Sequence, residues 1–291
     1  MPYETLTVDI TEKIAHVELN RPDAYNSMNR TFWREFPEAI RDIDARAAAR
    51  VIVLSSTGKH FTAGMDLAVF TGGDGGGGPA GTTFKGGRRA ENTRRAVLQL
   101  QEVFTLLEEV RMPVLAAIQG GCIGGGVDMV TACDSRYCTE DAFFSVKETD
   151  IGMTADLGTL QRLPTVMPAG LARELAYTGR RFYADEALQS GLVNRVFKDQ
   201  AAMLDGVLQI AGEIAGKSPL AITGCKNMLN YARDHSVADG LNHVATWQSG
   251  IFPPEDMMIA FAAKAGGKPA DFEEMPPTVP AMGTDAPPAD S

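Results

Sequence analysis

Three observations predict an α/β fold. Two short apolar runs, Val51–Ser56 and Val114–Ile118, have the composition of strands buried in a sheet. Residues 30–45 read as a helix behind a capping residue, and 90–110 carry apolar side chains at helical spacing, Val97, Leu98, Leu100, Val103, Phe104, Leu106 and Leu107. The order strand, loop, helix, strand then begins an alternating α/β pattern.

At 291 residues the chain has ample material for one large domain or for a core with an appendage. Its 44% hydrophobic and 22% charged content is that of a soluble globular protein. A net charge of −10 argues against general nucleic-acid binding. No apolar run approaches the roughly 20 residues needed to span a bilayer, so no membrane partner is expected. The start of the chain lacks the basic and apolar regions of a secretory signal, and Ala-Asp-Ser at its end is not a peroxisomal address. Cys122, Cys133, Cys138 and Cys225 are unpaired in spacing and are expected as buried thiols in a reducing cytoplasm. His16, His60, His235 and His243 are scattered, so no metal site is expected.

In chain order, residues 3–9 and 14–19 alternate apolar and polar, which predicts two antiparallel strands around a turn at 10–13. Asn20 to Asp23 form a loop. Asn29 or Ser27 caps the helix over 30–45, with Pro37 kinking it or lying near its start. Gly72 to Gly87 is a glycine-rich loop with neither a Walker nor a dinucleotide pattern. Helices are expected at 169–177 and at 184–190, the latter capped by Gly191 and followed by an edge strand at 193–197. Residues 201–215, 219–232, 237–246 and 256–265 look helical. The Pro-, Gly- and acid-rich segment from 266 to 291 is expected to be disordered.

The chain is organised around residues 119–162. The strand Val114–Ile118 feeds directly into Gln-Gly-Gly-Cys-Ile-Gly-Gly-Gly-Val-Asp, where Gly124, Gly125 and Gly126 permit a sharp turn and close approach of backbone to ligand. A helix from Val127 to Ala132 would aim its free N–H groups back at that turn, which favours an anion or a developing oxyanion. Phe-Thr-Ala-Gly-Met-Asp-Leu, residues 61–67, follows the strand Val51–Ser56, with Asp66 as the N-cap of a short helix. The segment 61–67 reads either as a plain capped helix after a turn or as the source of a second N–H, that of Met65, aimed with the N–H of Gly125 at one oxygen, as in an oxyanion hole.

Three acids surround this turn. Asp128 lies inside the helix, three residues after Gly125. Glu148 sits at a strand end after Phe-Phe-Ser-Val, and Asp156 lies eight residues on, in a Gly-Met-Thr-Ala-Asp-Leu-Gly loop. Asp141 and Asp150 are read as solvated or capping residues, and Asp134 as a partner of Arg136 or a backbone cap. A bound thioester carbonyl would have its α-proton acidified by the hole, with one carboxylate taking that proton and a carboxylic acid returning one elsewhere. Burial beside a second acid raises a carboxyl pKa and keeps one acid protonated near neutral pH.

These residues resemble the enoyl-CoA hydratase/isomerase (crotonase) superfamily. Residues 61–67 are similar to its first oxyanion and CoA-binding segment, Gly-Cys-Ile-Gly-Gly-Gly-Val-Asp to its second, and Gly-Thr-Leu-Gln-Arg-Leu to the segment beyond; the likeness runs from about residue 3 to 261. It implies a crotonase (ClpP/crotonase-like) fold of repeated ββα units, as a core over 1–200 with a C-terminal helical oligomerisation region over 201–265. A typical hydratase carries glutamates at the positions of Asp128 and Glu148, and a small residue at that of Asp156. The set found here resembles instead the Δ3,5-Δ2,4-dienoyl-CoA isomerase branch, as does the stretch from Arg233 to Trp247.

The resemblance implies Glu148 and Asp156 as the acid–base pair and Asp128 as the group that orients or polarises them. It implies Met65 and Gly125 as the oxyanion donors, and Thr62, Ala63, Gly64, Met65, Asp66 and Gly125 as CoA-binding residues. Expected partners are an acyl-CoA substrate and further copies of the chain, as a homotrimer or a dimer of trimers, with no cofactor beyond the CoA of the substrate. A cytoplasmic location is expected. The alternatives are an enoyl-CoA hydratase or another enoyl-CoA isomerase, and, in another class, a catalytically silent crotonase-fold scaffold or RNA-binding protein.

Overall fold

The computed structural model describes residues 3–71 and 84–278. Strands β1 (Leu6–Thr11) and β2 (Ile14–Leu19) form an antiparallel hairpin, closed by two residues in left-handed backbone, Glu12 and Lys13, at φ 51° and 68°. Such turns match the right-handed twist of the strands. Helix α1 (Arg30–Ala45) starts at Asn29, whose side chain accepts from Phe32 N at 2.9 Å. Phe32, Phe36, Ile40 and Ile43 form its buried stripe. The helix runs on through Pro37, which cannot donate to the carbonyl one turn back.

Strand β3 (Val51–Ser56) lies parallel to β2, and the short α2 (Leu67–Thr71) follows the first glycine segment. Helix α3 (Gly86–Glu109) starts four residues before the expected point, so Gly86 and Gly87 belong to it; the rest of the glycine-rich stretch, 72–83, lies outside the described residues. Strand β4 (Val114–Ile118) pairs with β3, then β5 (Gly121–Ile123) leaves the main sheet and α4 (Gly125–Thr131) begins at once. Strands β6 (Ser135–Thr139) and β7 (Phe143–Ser145), then helices α5 (Thr159–Val166) and α6 (Ala169–Thr178), complete the central stretch. After them come β8 (Phe182–Tyr183), α7 (Ala184–Ser190), β9 (Arg195–Phe197) and helices α8 (Gln200–Ala215), α9 (Pro219–Asp234), α10 (Val237–Ile251) and α11 (Pro254–Gly266).

The main sheet runs β1-β2-β3-β4-β6-β9, and a small second sheet runs β5-β7-β8. Both faces of the main sheet are covered, which explains why its central strands are continuous apolar runs. Ile52, Leu54, Val114, Ala116 and Ile118 join the larger core, while Val51, Val53, Leu115 and Ala117 point the other way onto Met203, Val207 and Ala211 of α8. Helix α8 therefore belongs to the core, and the expected boundary at residue 200 falls one element early. Among the described residues, no helix is long and apolar enough to cross a membrane.

The expected disorder from 266 also needs correction. Buried Arg50 donates to Phe272 O at 2.6 Å, Ala215 O at 3.0 Å and both Glu274 oxygens. Arg111 donates to Pro276 O, and Thr278 N to Ala45 O. Polar contacts to two distant arginines order residues 268–278 where apolar periodicity is lacking; 279–291 lie outside the described residues. Cys122, Cys133 and Cys138 are buried free thiols as expected, but Cys225 is exposed on α9.

Candidate active site

The two glycine segments meet backbone to backbone. Thr62 and Cys122 form a parallel bridge, in which Thr62 N donates to Gly121 O and Ile123 N to Thr62 O, both at 3.1 Å. Met28 bridges the far side of the first segment: Met28 N donates to Gly64 O and Asp66 N to Met28 O. Successive N–H groups of extended chain point to opposite sides, so the Met65 N–H faces away from Met28. Gly125 is the first residue of α4, and its N–H has no partner within the helix. Neither group donates to an acceptor among the described residues.

Two glycines are required by this junction. Gly64 holds φ +82°, and a Cβ on it would lie 2.6 Å from Ile123 O. Gly124 holds φ +53°, and a Cβ there would come within 3.1 Å of Glu148 Oε1. A side chain on this turn would therefore intrude on the carboxyl group.

Met65 and Gly125 open on a cavity of about 120 Å³. The two glycine segments also give Ala63, Leu67, Ile123 and Gly124 to its lining, and residues past β7 give Lys147, Glu148, Ile151, Met153, Asp156 and Leu157. Glu148 begins a 3₁₀ turn just past β7, and its Oε2 is buried without a hydrogen-bond partner among the described residues. Burial, with the neighbouring Asp128 and Asp156 carboxyls adding to it, raises its pKa to about 7. Asp128, 1% exposed, accepts from Thr159 N at 2.6 Å. Burial raises its pKa to about 6, against the lowering effect of that bond. The Thr159 hydroxyl lies beside the same carboxyl without meeting hydrogen-bond geometry. Asp156, half-buried in the loop before α5, is also raised by desolvation.

The structure brings Met65, Gly125, Glu148 and Asp156 around one cavity, with Ala63 beside them. Asp128 stands behind, bound to the α5 N-terminus rather than lining the cavity. Thr62 is fully buried; its Oγ1 donates to Asn26 O and accepts from Gly64 N. Asp66 caps α2 through Ala68 N, accepts from Ser27 Oγ and faces Arg21 at 3.7 Å. The cap bond to Ala68, ahead of Ser27 and Arg21, holds its carboxyl below its ordinary range. Thr62, Gly64 and Asp66 thus shape the first segment from behind. Asp134 is a backbone anchor: it accepts from Val114 N at 2.7 Å and pairs with Lys226, while Arg136 donates to the carbonyls of Val130, Cys133 and Leu192 instead. Ile151, Met153 and Leu157 were missed as cavity wall, because a lone apolar residue in a loop carries no signal of what it faces.

Two amide donors beside a cluster of carboxyls with raised pKa values can stabilise an enolate and move protons about it. That is the equipment of an enzyme acting on an activated carbonyl compound. A family model described as enoyl-CoA hydratase/isomerase matches residues 9–265, and the chain belongs to that family. It is 47% identical over 273 residues to the human mitochondrial Δ(3,5)-Δ(2,4)-dienoyl-CoA isomerase, covering 91% of this chain and 80% of that one. It is 44% identical over 269 residues to the peroxisomal enzyme of that name from Arabidopsis thaliana, covering 90% and 94%. Among solved structures, an enoyl-CoA hydratase from Bacillus anthracis superposes with a TM-score of 0.82 at 28% identity, over 92% of this chain and 99% of the other, which fits the crotonase fold. The expected cytoplasmic location is overturned by relatives whose names place them in mitochondria or peroxisomes, and the reading of the cysteines by compartment falls with it.

Proposed function

We propose that this protein isomerises 3,5-dienoyl-CoA to 2,4-dienoyl-CoA in the oxidation of unsaturated fatty acids. The observation that carries the reading is Asp156 in the same cavity wall as Glu148, in a chain 44–48% identical to enzymes named for that reaction. The N–H groups of Met65 and Gly125 hold the thioester oxygen, so that removal of a C2 proton leaves a dienolate with its charge spread to C6. One of Glu148 and Asp156 takes the C2 proton and the other delivers one to C6. Asp128, through its field on Glu148, helps keep that carboxyl titrating near neutral pH. Protons and double bonds move while the oxidation state is unchanged, so the reaction needs no redox partner, and CoA enters only as the carrier of the acyl chain.

Homotrimers or dimers of trimers are part of the same proposal. Leu229 on α9, Val237 and Leu241 on α10, Phe252 just after it, and Met258 and Phe261 on α11 are all well exposed and form apolar surface of the kind that subunit contacts cover.

The test incubates purified protein with 3,5-dienoyl-CoA and follows the conjugated product by ultraviolet absorbance, beside Glu148→Gln, Asp156→Asn and a 2-enoyl-CoA hydration control. Conversion by wild type that falls at least about a hundredfold in both variants is expected, as for loss of a general acid or base. Hydration without isomerisation would replace the reading with enoyl-CoA hydratase. Turnover of neither substrate would move weight to the silent scaffold.

A further inference from the structure

The loop that carries Asp156 is held from outside the cavity by a residue with no part in the family motifs. Gln101, in the second half of α3, donates from Nε2 to the main-chain carbonyl of Asp156 at 2.6 Å, across 55 residues of sequence. Asp128 fixes the same loop three residues on, by accepting from Thr159 N. Between these two points Arg162 reaches Leu157 O at 3.4 Å, and its other amine is tied to α3 through Thr105 Oγ1 at 3.0 Å and Glu108 Oε2 at 2.8 Å. Arg233 of α9 closes on Glu108 from the far side. Residues 156–159 are thus pinned at both ends.

The Gln101 bond differs from the others because it holds the acid's own residue. Among the described residues the Asp156 carboxyl meets no donor but its own backbone N–H, so its direction depends on its backbone. A carbonyl fixed at 2.6 Å removes most of the freedom of that peptide group. A misplacement of about 1 Å at a reacting group costs on the order of a hundredfold in rate.

We propose that Gln101 is a positioning residue for Asp156: its side-chain amide fixes the loop so that the Asp156 carboxyl faces the cavity beside Glu148. The inference rests on the isomerase reading for its kinetic consequence, but the tether itself does not.

The test compares wild type with Gln101→Met, which keeps the length of the side chain and removes the donor, and Gln101→Lys, which restores a donor of similar reach. Amide hydrogen exchange over 156–159, which needs no substrate, should speed up about tenfold in Gln101→Met. Its kcat for 3,5-dienoyl-CoA should fall about 10- to 100-fold with KM within about threefold. The pH–rate limb that disappears in Asp156→Asn should move to lower pH, as a looser loop lets water reach the carboxyl. Gln101→Lys should retain most of the wild-type kcat. Unchanged loop exchange or unchanged kcat in Gln101→Met, an unmoved limb, or equal loss in both variants would overturn the proposal. A wild type that leaves 3,5-dienoyl-CoA intact would sink the isomerase reading instead, and faster loop exchange in Gln101→Met would still support the tether.

Discussion

Asp128→Asn tests the electrostatics of the site directly. The substitution keeps the shape of the side chain and an oxygen to accept from Thr159 N, and its new amide protons meet the buried Thr159 hydroxyl, which lacks a partner among the described residues. What it removes is a buried negative charge. A carboxyl that titrates at about 6 when folded, against an ordinary 3.8, costs on the order of 3 kcal/mol once ionised. The sign follows from the raised value: the wild type is free of this cost below pH 4, loses stability as pH rises through 6, and carries the full cost at pH 8. Asp128→Asn should therefore match the wild type near pH 4 and unfold roughly 5–10 °C higher at pH 8. Removing this charge should also lower the titration of Glu148 from about 7, since Asp128 ranks next after burial among the causes that raise it. Thermal unfolding at pH 4 and pH 8 checks the first effect, and a carboxyl titration followed by NMR the second. A difference in Tm independent of pH, or a variant less stable at pH 8, would refute the reasoning.

Gly124→Ala should reduce kcat about a hundredfold, because its backbone conformation costs an L-residue about 1–3 kcal/mol and its methyl group would crowd Glu148 Oε1 at 3.1 Å; steady-state kinetics with a Tm control would measure it. Arg50→Met should destabilise the fold by about 2–4 kcal/mol, since it leaves Phe272 O and Ala215 O without their donor and frees the segment they anchor. Urea unfolding gives that magnitude, and early proteolytic cleavage within 268–278 is the companion sign.

The sequence by itself determined the elements whose cause is local. Strands β3 and β4 announce themselves because a strand covered on both faces must be apolar at every position. Helix α1 does so through the capping residues before it, Asn29 or Ser27, of which the structure uses Asn29. The glycine turn at 124–126 was legible for a similar reason: glycine alone fits φ +53° against a neighbouring carboxylate. Short β5, β6 and β8 and the helix α5 were not, since two to eight residues carry too little periodicity to separate strand, helix and loop.

Only the tertiary structure decided which acids share a cavity and which do not. Asp128 and Asp156 are both acids near a turn in sequence, but one is sealed behind α5 and the other faces the cavity, and that depends on how α4 packs on α5. It also decided that α8 completes the core, that Arg50 and Arg111 order residues beyond 266, and that Gln101 reaches a carbonyl 55 residues away. Each of these rests on a hydrogen bond or a packing contact between distant segments, and a polar side chain in a sequence does not reveal which distant backbone group will satisfy it.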